Sequence, residues 1–222
     1  MIVAMVLAMA TAAFGMNAYD RGVAAYNAGK KAEAQIALDE WAAAGGSEPQ
    51  GFVLLGELAK GRGEHAKAGE WYAKAAASAK VGTKIRCAAL RCHLYSLTKV
   101  WADAGIAAGD ADAAVLEKEF GEDGDARVAR ATWWGRRQFE LLKIGNAKDS
   151  IQYGEKSIAA RGDFPLYGNN LAVAYCDVAS GVSGADAKAW AKKALDLLAR
   201  YKIEGKLAET KARAQAITDR VK

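Results

Sequence analysis

Helix breakers and reactive side chains are scarce in this 222-residue sequence, which holds two prolines (Pro49 and Pro165), three cysteines and two histidines. A β-sandwich or barrel, with its many turns, is nearly excluded by so few obligate breakers. Cys87 and Cys92 are five residues apart, so on one helix they point about 140° apart and cannot bridge, and Cys176 is remote. The cysteines are expected to be unbridged small hydrophobes. Neither sign of charge dominates: 31 Lys and Arg against 26 Asp and Glu leave +5, too diffuse to demand nucleic acid or a membrane surface.

Alanine is abundant, at 51 residues, which predicts an all-α chain. With 52% apolar and 26% charged residues, the chain can bury a sizeable core as one domain or one repeat array, and intrinsic disorder of the main body is excluded.

Met1 to Tyr19 carry no charged side chain, and Ile2 to Ala10 are an apolar run of the length found in secretory leaders. Ala10-Thr11-Ala12 and Ala13-Phe14-Gly15 place small residues where a signal peptidase needs them. We read residues 1–15 as a signal peptide cut after Gly15, giving a periplasmic or secreted protein. An uncleaved anchor, or the first turns of a buried cytoplasmic helix, are the alternatives. A spanning helix needs about 20 apolar residues, and Gly15, Asn17 and Asp20 intrude too early.

The chain then repeats itself. Gly22 and Gly29 recur 34 residues on as Gly56 and Gly63, and Ala34 and Leu38 recur as Ala68 and Tyr72. Gln138 and Leu141, the latter followed by Gly145, are matched by Ala172 and Tyr175 at the same offset. A period of this length implies pairs of antiparallel helices that cannot bury their own faces and must stack. Small residues at Gly22, Gly56, Cys92 and Ala172 would allow close approach within a pair. Larger ones, among them Phe52, Tyr72, Tyr95, Trp134 and Tyr175, would fill the space between pairs. Gly29, Gly63 and Gly145 would end first helices in a left-handed conformation.

These residues resemble the tetratricopeptide repeats. Phe52-x2-Leu55-Gly56 followed by Ala68-x3-Tyr72 looks like that family's core pattern, and Leu54 to Ala77 is similar to its Sel1-like branch. The resemblance implies a right-handed α-solenoid of about five antiparallel helix pairs over residues 16–204, closed by a capping helix over residues 205–222 with Leu207, Ala214, Ile217 and Val221 on one stripe. In the third pair, a first helix is expected from about Ile85 to Leu97, with its partner at either Trp101 to Ala108 or Ala111 to Phe120. Gly121 to Asp125 reads as a loop, and Ser180 to Gly184 as an insertion. In the fourth pair Gln138, Ser150 and Gly154 stand where small and aromatic residues are expected.

Catalytic motifs are absent. Cys87-x4-Cys92-His93 has the wrong spacing for zinc or haem attachment. Ser96-x2-Lys99 lacks the partner motifs of penicillin-recognising enzymes, and Gly181-Val182-Ser183-Gly184 is one residue short of a nucleophile elbow. No P-loop occurs. No cofactor, metal or enzymatic activity is expected.

Charge is uneven along the chain. Asp103 to Asp125 hold eight acidic residues and one lysine, whereas Lys188 to Lys222 hold ten basic and four acidic. Such a distribution serves association rate and specificity more than affinity. If first helices line a concave side, the residues facing it include Tyr26, Asn27, Lys60, Arg86, Arg136, Phe139, Lys143, Asn169 and Asn170, with Tyr19, Glu57, His93 and Asp177 beside them. Asn and Arg can grip an extended peptide by paired hydrogen bonds, with aromatics between. Some tetratricopeptide proteins clamp a peptide's C-terminal carboxylate, and Asn27, Lys60 and Arg86 are of the types that the resemblance would assign to such a clamp. The expected function is therefore non-enzymatic binding of a protein or peptide in the groove. Alternatives are an assembly component of a bacterial envelope complex that bridges partners through its ends, or a hydrolase built on Sel1-like repeats.

Overall fold

The computed structural model describes residues 16–202 and 204–220, and these are all-helical, with no strand. The expectation of a signal peptide on residues 1–15 lies outside the described residues. In chain order the helices are α1 (Ala18–Asn27), α2 (Lys31–Ala43), α3 (Pro49–Gly61), α4 (His65–Ser78), α5 (Lys84–Val100), α6 (Asp103–Phe120), α7 (Gly124–Lys143), α8 (Ala147–Ala160), α9 (Pro165–Ser180), α10 (Gly184–Leu198) and α11 (Lys206–Arg220). No helix among the described residues is long and apolar enough to cross a membrane.

Local chemistry sets many of these boundaries. Both prolines sit in the first turn of a helix, α3 and α9, where the missing N–H costs nothing. Asn17, Thr83, Asp123 and Asn146 cap α1, α5, α7 and α8 by accepting a backbone N–H from the first turn. Gly29, Gly63 and Gly145 take φ of +74°, +78° and +78° just past α1, α3 and α7, as the repeat predicts.

The chain forms two compact units, one ending at Phe120 and the other starting at Gly121. In the first unit each helix packs on the next, and alternate helices also touch, α1 with α3 and α3 with α5. In the second unit α7 to α11 pack sequentially, with α7 touching α9 and α9 touching α11. This arrangement is compatible with a helical repeat.

The 34-residue period has a steric basis. A Cβ on Gly22 would lie 2.6 Å from Leu38 Cγ, and one on Gly56 would lie 2.5 Å from the Tyr72 ring. Each glycine lets a first helix close over a large buried side chain sixteen positions later in the sequence. The same spacing joins Gln138 to Gly154, but with sizes exchanged: a Cβ on Gly154 would lie 2.3 Å from Gln138 Nε2. The departure in the fourth pair is thus a swap that conserves the fit.

Gln138 is fully buried, and neither atom of its amide finds a hydrogen-bond partner in the protein. An unpaired buried amide is costly. Gln138→Met is therefore expected to stabilise the chain by about 1–2 kcal/mol in denaturant titration. A loss of stability would show that the amide is satisfied.

In the first unit Ala34, Leu38, Trp41, Leu54, Leu55 and Leu58 form a core, bordered by an aromatic ladder from Tyr19 through Trp41 and Phe52 to Trp71. In the second unit α11 buries Ala214 with Leu171, Tyr175 and Leu198, and Val221 lies outside the described residues.

Some expectations need correction. The third pair's second helix is neither of the two short segments but one longer helix, α6, which starts at Asp103 inside the first segment and runs through the whole of the second, while Trp101 caps α5. Residues Gly124 and Asp125 already belong to α7, so the loop is shorter than Gly121 to Asp125. Ser180 ends α9 and Gly184 opens α10, leaving a three-residue link. Tyr95 is 45% exposed and only edges the space between pairs, its ring 6.1 Å from that of His65 on α4.

An ion pair and a hydrogen bond hold α6 to α5. Arg86 Nε meets Glu119 at 3.0 Å and His93 Nδ1 meets Asp112 at 2.6 Å. Both partners step by seven residues in opposite directions, as an antiparallel hairpin requires. Burial alone would raise the Glu119 carboxyl, but the Gly82 amide and Arg86 guanidinium outweigh it and hold it below the usual carboxylate range. A depressed carboxylate contributes stability above its unfolded pKa, and that contribution is lost as pH falls below about 4.5 through the folded value. Arg86→Leu is expected to lower stability at neutral pH and to lose less on acidification to about pH 3 than the unaltered chain. Equal losses in both would refute the assignment.

Candidate functional site

In the first unit, α3, α4 and α5 present a polar cluster. Lys60 Nζ bonds both Glu57 oxygens, at 2.7 and 2.6 Å, and Glu57 also accepts the Tyr72 hydroxyl at 2.7 Å and faces Cys92 Sγ at 4.0 Å. Burial would lower the Lys60 ammonium, but Glu57 more than compensates and holds it above its ordinary value. Burial, reinforced by Glu57, pushes the Tyr72 hydroxyl and the Cys92 thiol up.

These contacts also decide the clamp. Asn27 is exposed at the end of α1, and Tyr26 is half-buried against the first core. Lys60 is tied to Glu57. Arg86 is tied to Glu119 and donates to the Ala76 carbonyl at 2.6 Å, which makes it a bracket between α4, α5 and α6 rather than a ligand-facing group. His93, paired with Asp112, is likewise internal.

In the second unit, Arg136, Phe139 and Lys143 lie on one exposed stripe of α7, at spacings of three and four residues. Phe139 is 44% exposed, and the Arg136 guanidinium stands 5.8 Å from its ring centroid. Glu140 holds both cations, Arg136 at 2.6 Å and Lys143 at 3.3 Å. On α9, Tyr167 packs against Gly135, and its hydroxyl is 3.3 Å from Thr132 Oγ1. One turn beyond that contact come Arg136 on α7 and half-buried Asn170 on α9. The structure thus brings Arg136, Phe139, Lys143 and Asn170 onto neighbouring first helices.

Asn169 does not join them. It is 6% exposed beneath α11, where its Oδ1 accepts the Thr210 hydroxyl at 2.9 Å. Asp177 is also engaged by α11, through Arg213 at 2.6 Å.

A second depression, of about 450 Å³, was missed from sequence. Its floor is Leu171 and Tyr175 of α9, and its walls are α8 and α10, with Glu155, Lys193 and Arg200 at the rim. Tyr175 donates to Glu155 at 3.1 Å, and burial and that carboxylate push its phenol up. Lys193 lies 4.1 Å over the Trp190 ring. The spacing of Trp190 and Lys193 was the available signal.

Among the described residues no group of three or more His, Cys, Asp or Glu side chains could hold a metal ion. No family model matches the chain, and no curated protein matches it.

Proposed function

We propose that this chain is a non-enzymatic binding module of the tetratricopeptide or Sel1-like kind, a right-handed solenoid of about five helix pairs that holds a protein or peptide on its first helices. In this reading residues 1–15 direct export, and binding takes place in the periplasm or outside the cell. The observation that carries the reading is the stripe on α7: a large aromatic, 44% exposed, with the Arg136 guanidinium 5.8 Å from its ring centroid and Lys143 one turn further along. Exposing Phe139 forfeits burial that the second core could have used, and aromatic and arginine side chains side by side are the residue types that dominate binding energy at interfaces. The neighbouring Asn170 supplies an amide that can pair with an extended backbone. Arg136 and Lys143 on the same stripe favour an acidic peptide with one apolar anchor for Phe139.

Panning a phage-displayed random peptide library against the purified chain tests this. Convergent sequences with acidic residues flanking an apolar one, lost when Phe139→Asp is used as bait, are expected. Absence of convergence, or equal recovery by the variant, would overturn the reading.

A further inference from the structure

A cleft between α4 and α5 gathers cations and unbonded polar groups, and we infer that it holds a phosphate group, either the free ion or one carried on a small ester. The cleft has a volume of about 520 Å³ and is lined by His65 and Lys67 of α4 and by Lys99 and Val100 of α5, with Glu64 just ahead of α4.

The charge left uncommitted here is of one sign. Among the described residues of the lining, Glu64 is the one carboxylate, and Arg62 holds both of its oxygens, at 2.8 and 3.0 Å. Lys67 and Lys99 stand in no ion pair among the described residues, although Glu64 attracts Lys67 through space. Lys99 lies 5.1 Å over the Tyr95 ring, which packs edge-on to His65. An ammonium over an exposed ring gains only about 0.5–1 kcal/mol, so an anion can draw Lys99 away from it.

Two polar groups between these helices lack a partner. His65 Nδ1 is shielded from solvent and makes no hydrogen bond in the protein. Ser96, one turn before Lys99, is 1% exposed with its hydroxyl likewise unbonded, and it lies against Gly69, one turn after His65. Each buried polar group left unpaired costs about 1–3 kcal/mol, which an acceptor entering between the helices can recover.

Phosphate suits these donors better than a carboxylate does. As a dianion it matches the two lysines charge for charge, and its tetrahedral oxygens can accept from both ammonium groups and from the imidazole at once, whereas a carboxylate brings one charge in one plane. The outer torsion of a histidine side chain is soft, so Nδ1 can turn to a phosphate oxygen. Tyr95 and Val100, each 45% exposed, offer the organic part of an ester an apolar edge.

The test is a proton NMR titration of the imidazole signals in the protein as its producing cell makes it, at fixed pH and ionic strength, with inorganic phosphate, phenyl phosphate and acetate as probes. The chain has two histidines, so His65 reports on the cleft and His93, tied to Asp112, is the internal control. Phosphate is expected to move the His65 signals saturably, with a dissociation constant of about 10 mM or tighter, and to leave those of His93 in place. Tighter binding of phenyl phosphate assigns the site to an ester, and equal or weaker binding to the free ion. Lys67→Ala with Lys99→Ala, both positions being exposed, is expected to weaken binding roughly tenfold or more without loss of helicity. Unmoved His65 signals, equal shifts at His93, acetate acting as strongly as phosphate, or unchanged binding by the double variant would each overturn the inference. The cleft belongs to the first unit and Phe139 to the second, so either proposal can fail without the other.

Discussion

Truncating Tyr72 to alanine is expected to cost the protein about 3–5 kcal/mol, enough to unfold a marginal chain. The ring is fully buried, fills the hollow over Gly56, and donates its hydroxyl to Glu57. Tyr72→Phe isolates the hydroxyl and is expected to cost about 1 kcal/mol, since Glu57 keeps Lys60. Gly56→Ala approaches the problem from the other helix. Helix propensity favours alanine by about 1 kcal/mol, but its methyl would sit 2.5 Å from a ring with nowhere to go, and overpacking of this sort costs about 1–3 kcal/mol. In the double variant the methyl enters space that the ring has left, so the two costs should fall short of their sum by about 1 kcal/mol or more. Chemical denaturation of the four proteins measures this cycle. Additive costs would mean that residues sixteen apart do not fit as knob and hollow, and the steric account of the period would fail.

The second large effect is on binding. For a peptide recovered by panning, Phe139→Asp is expected to lower affinity about 30-fold or more, the loss of at least about 2 kcal/mol typical of a central aromatic contact. Arg136→Glu should weaken binding comparably and also reduce its salt dependence, because one attractive charge becomes repulsive. Lys143→Ala should change affinity by no more than about threefold, its side chain being well exposed at the edge of the stripe. Stability should move within about 0.5 kcal/mol for Lys143→Ala, whereas Arg136→Glu replaces the ion pair with Glu140 by two carboxylates one helical turn apart and is expected to cost more. Calorimetric titration separates these outcomes, and uniform small losses across the three would place the contact elsewhere.

Much of the architecture was legible because it rests on local rules. Glycines at Gly29, Gly63 and Gly145 need positive φ, and the glycines at Gly22 and Gly56 need close approach, so both leave a periodic trace. Gln138 with Gly154 was harder. Reading residue types position by position finds two anomalies, whereas reading the pair as a summed volume finds the same fit with sizes exchanged. Helix α6 gave no clear boundaries because it is rich in small residues and buries only Gly109, Ala113 and Leu116, so it writes no apolar stripe.

The binding residues divide by how far away their partners lie. Arg136, Phe139 and Lys143 keep to one helix, and their spacing alone put them on one face. Arg86 and Asn169 are engaged by Glu119 and Thr210, 33 and 41 residues further on, and nothing in the local sequence announces either contact. A polar side chain on the expected face of a helix is a candidate only until the fold shows what else reaches it.

The most direct measurement is photo-crosslinking in the producing cell, with benzoylphenylalanine placed at position 139 and, as a control, at exposed position 182 in the link between α9 and α10. One discrete polypeptide joined through position 139 and absent from position 182 is the expected result. No adduct at 139, or the same species at both positions, would contradict binding through the first helices of the second unit.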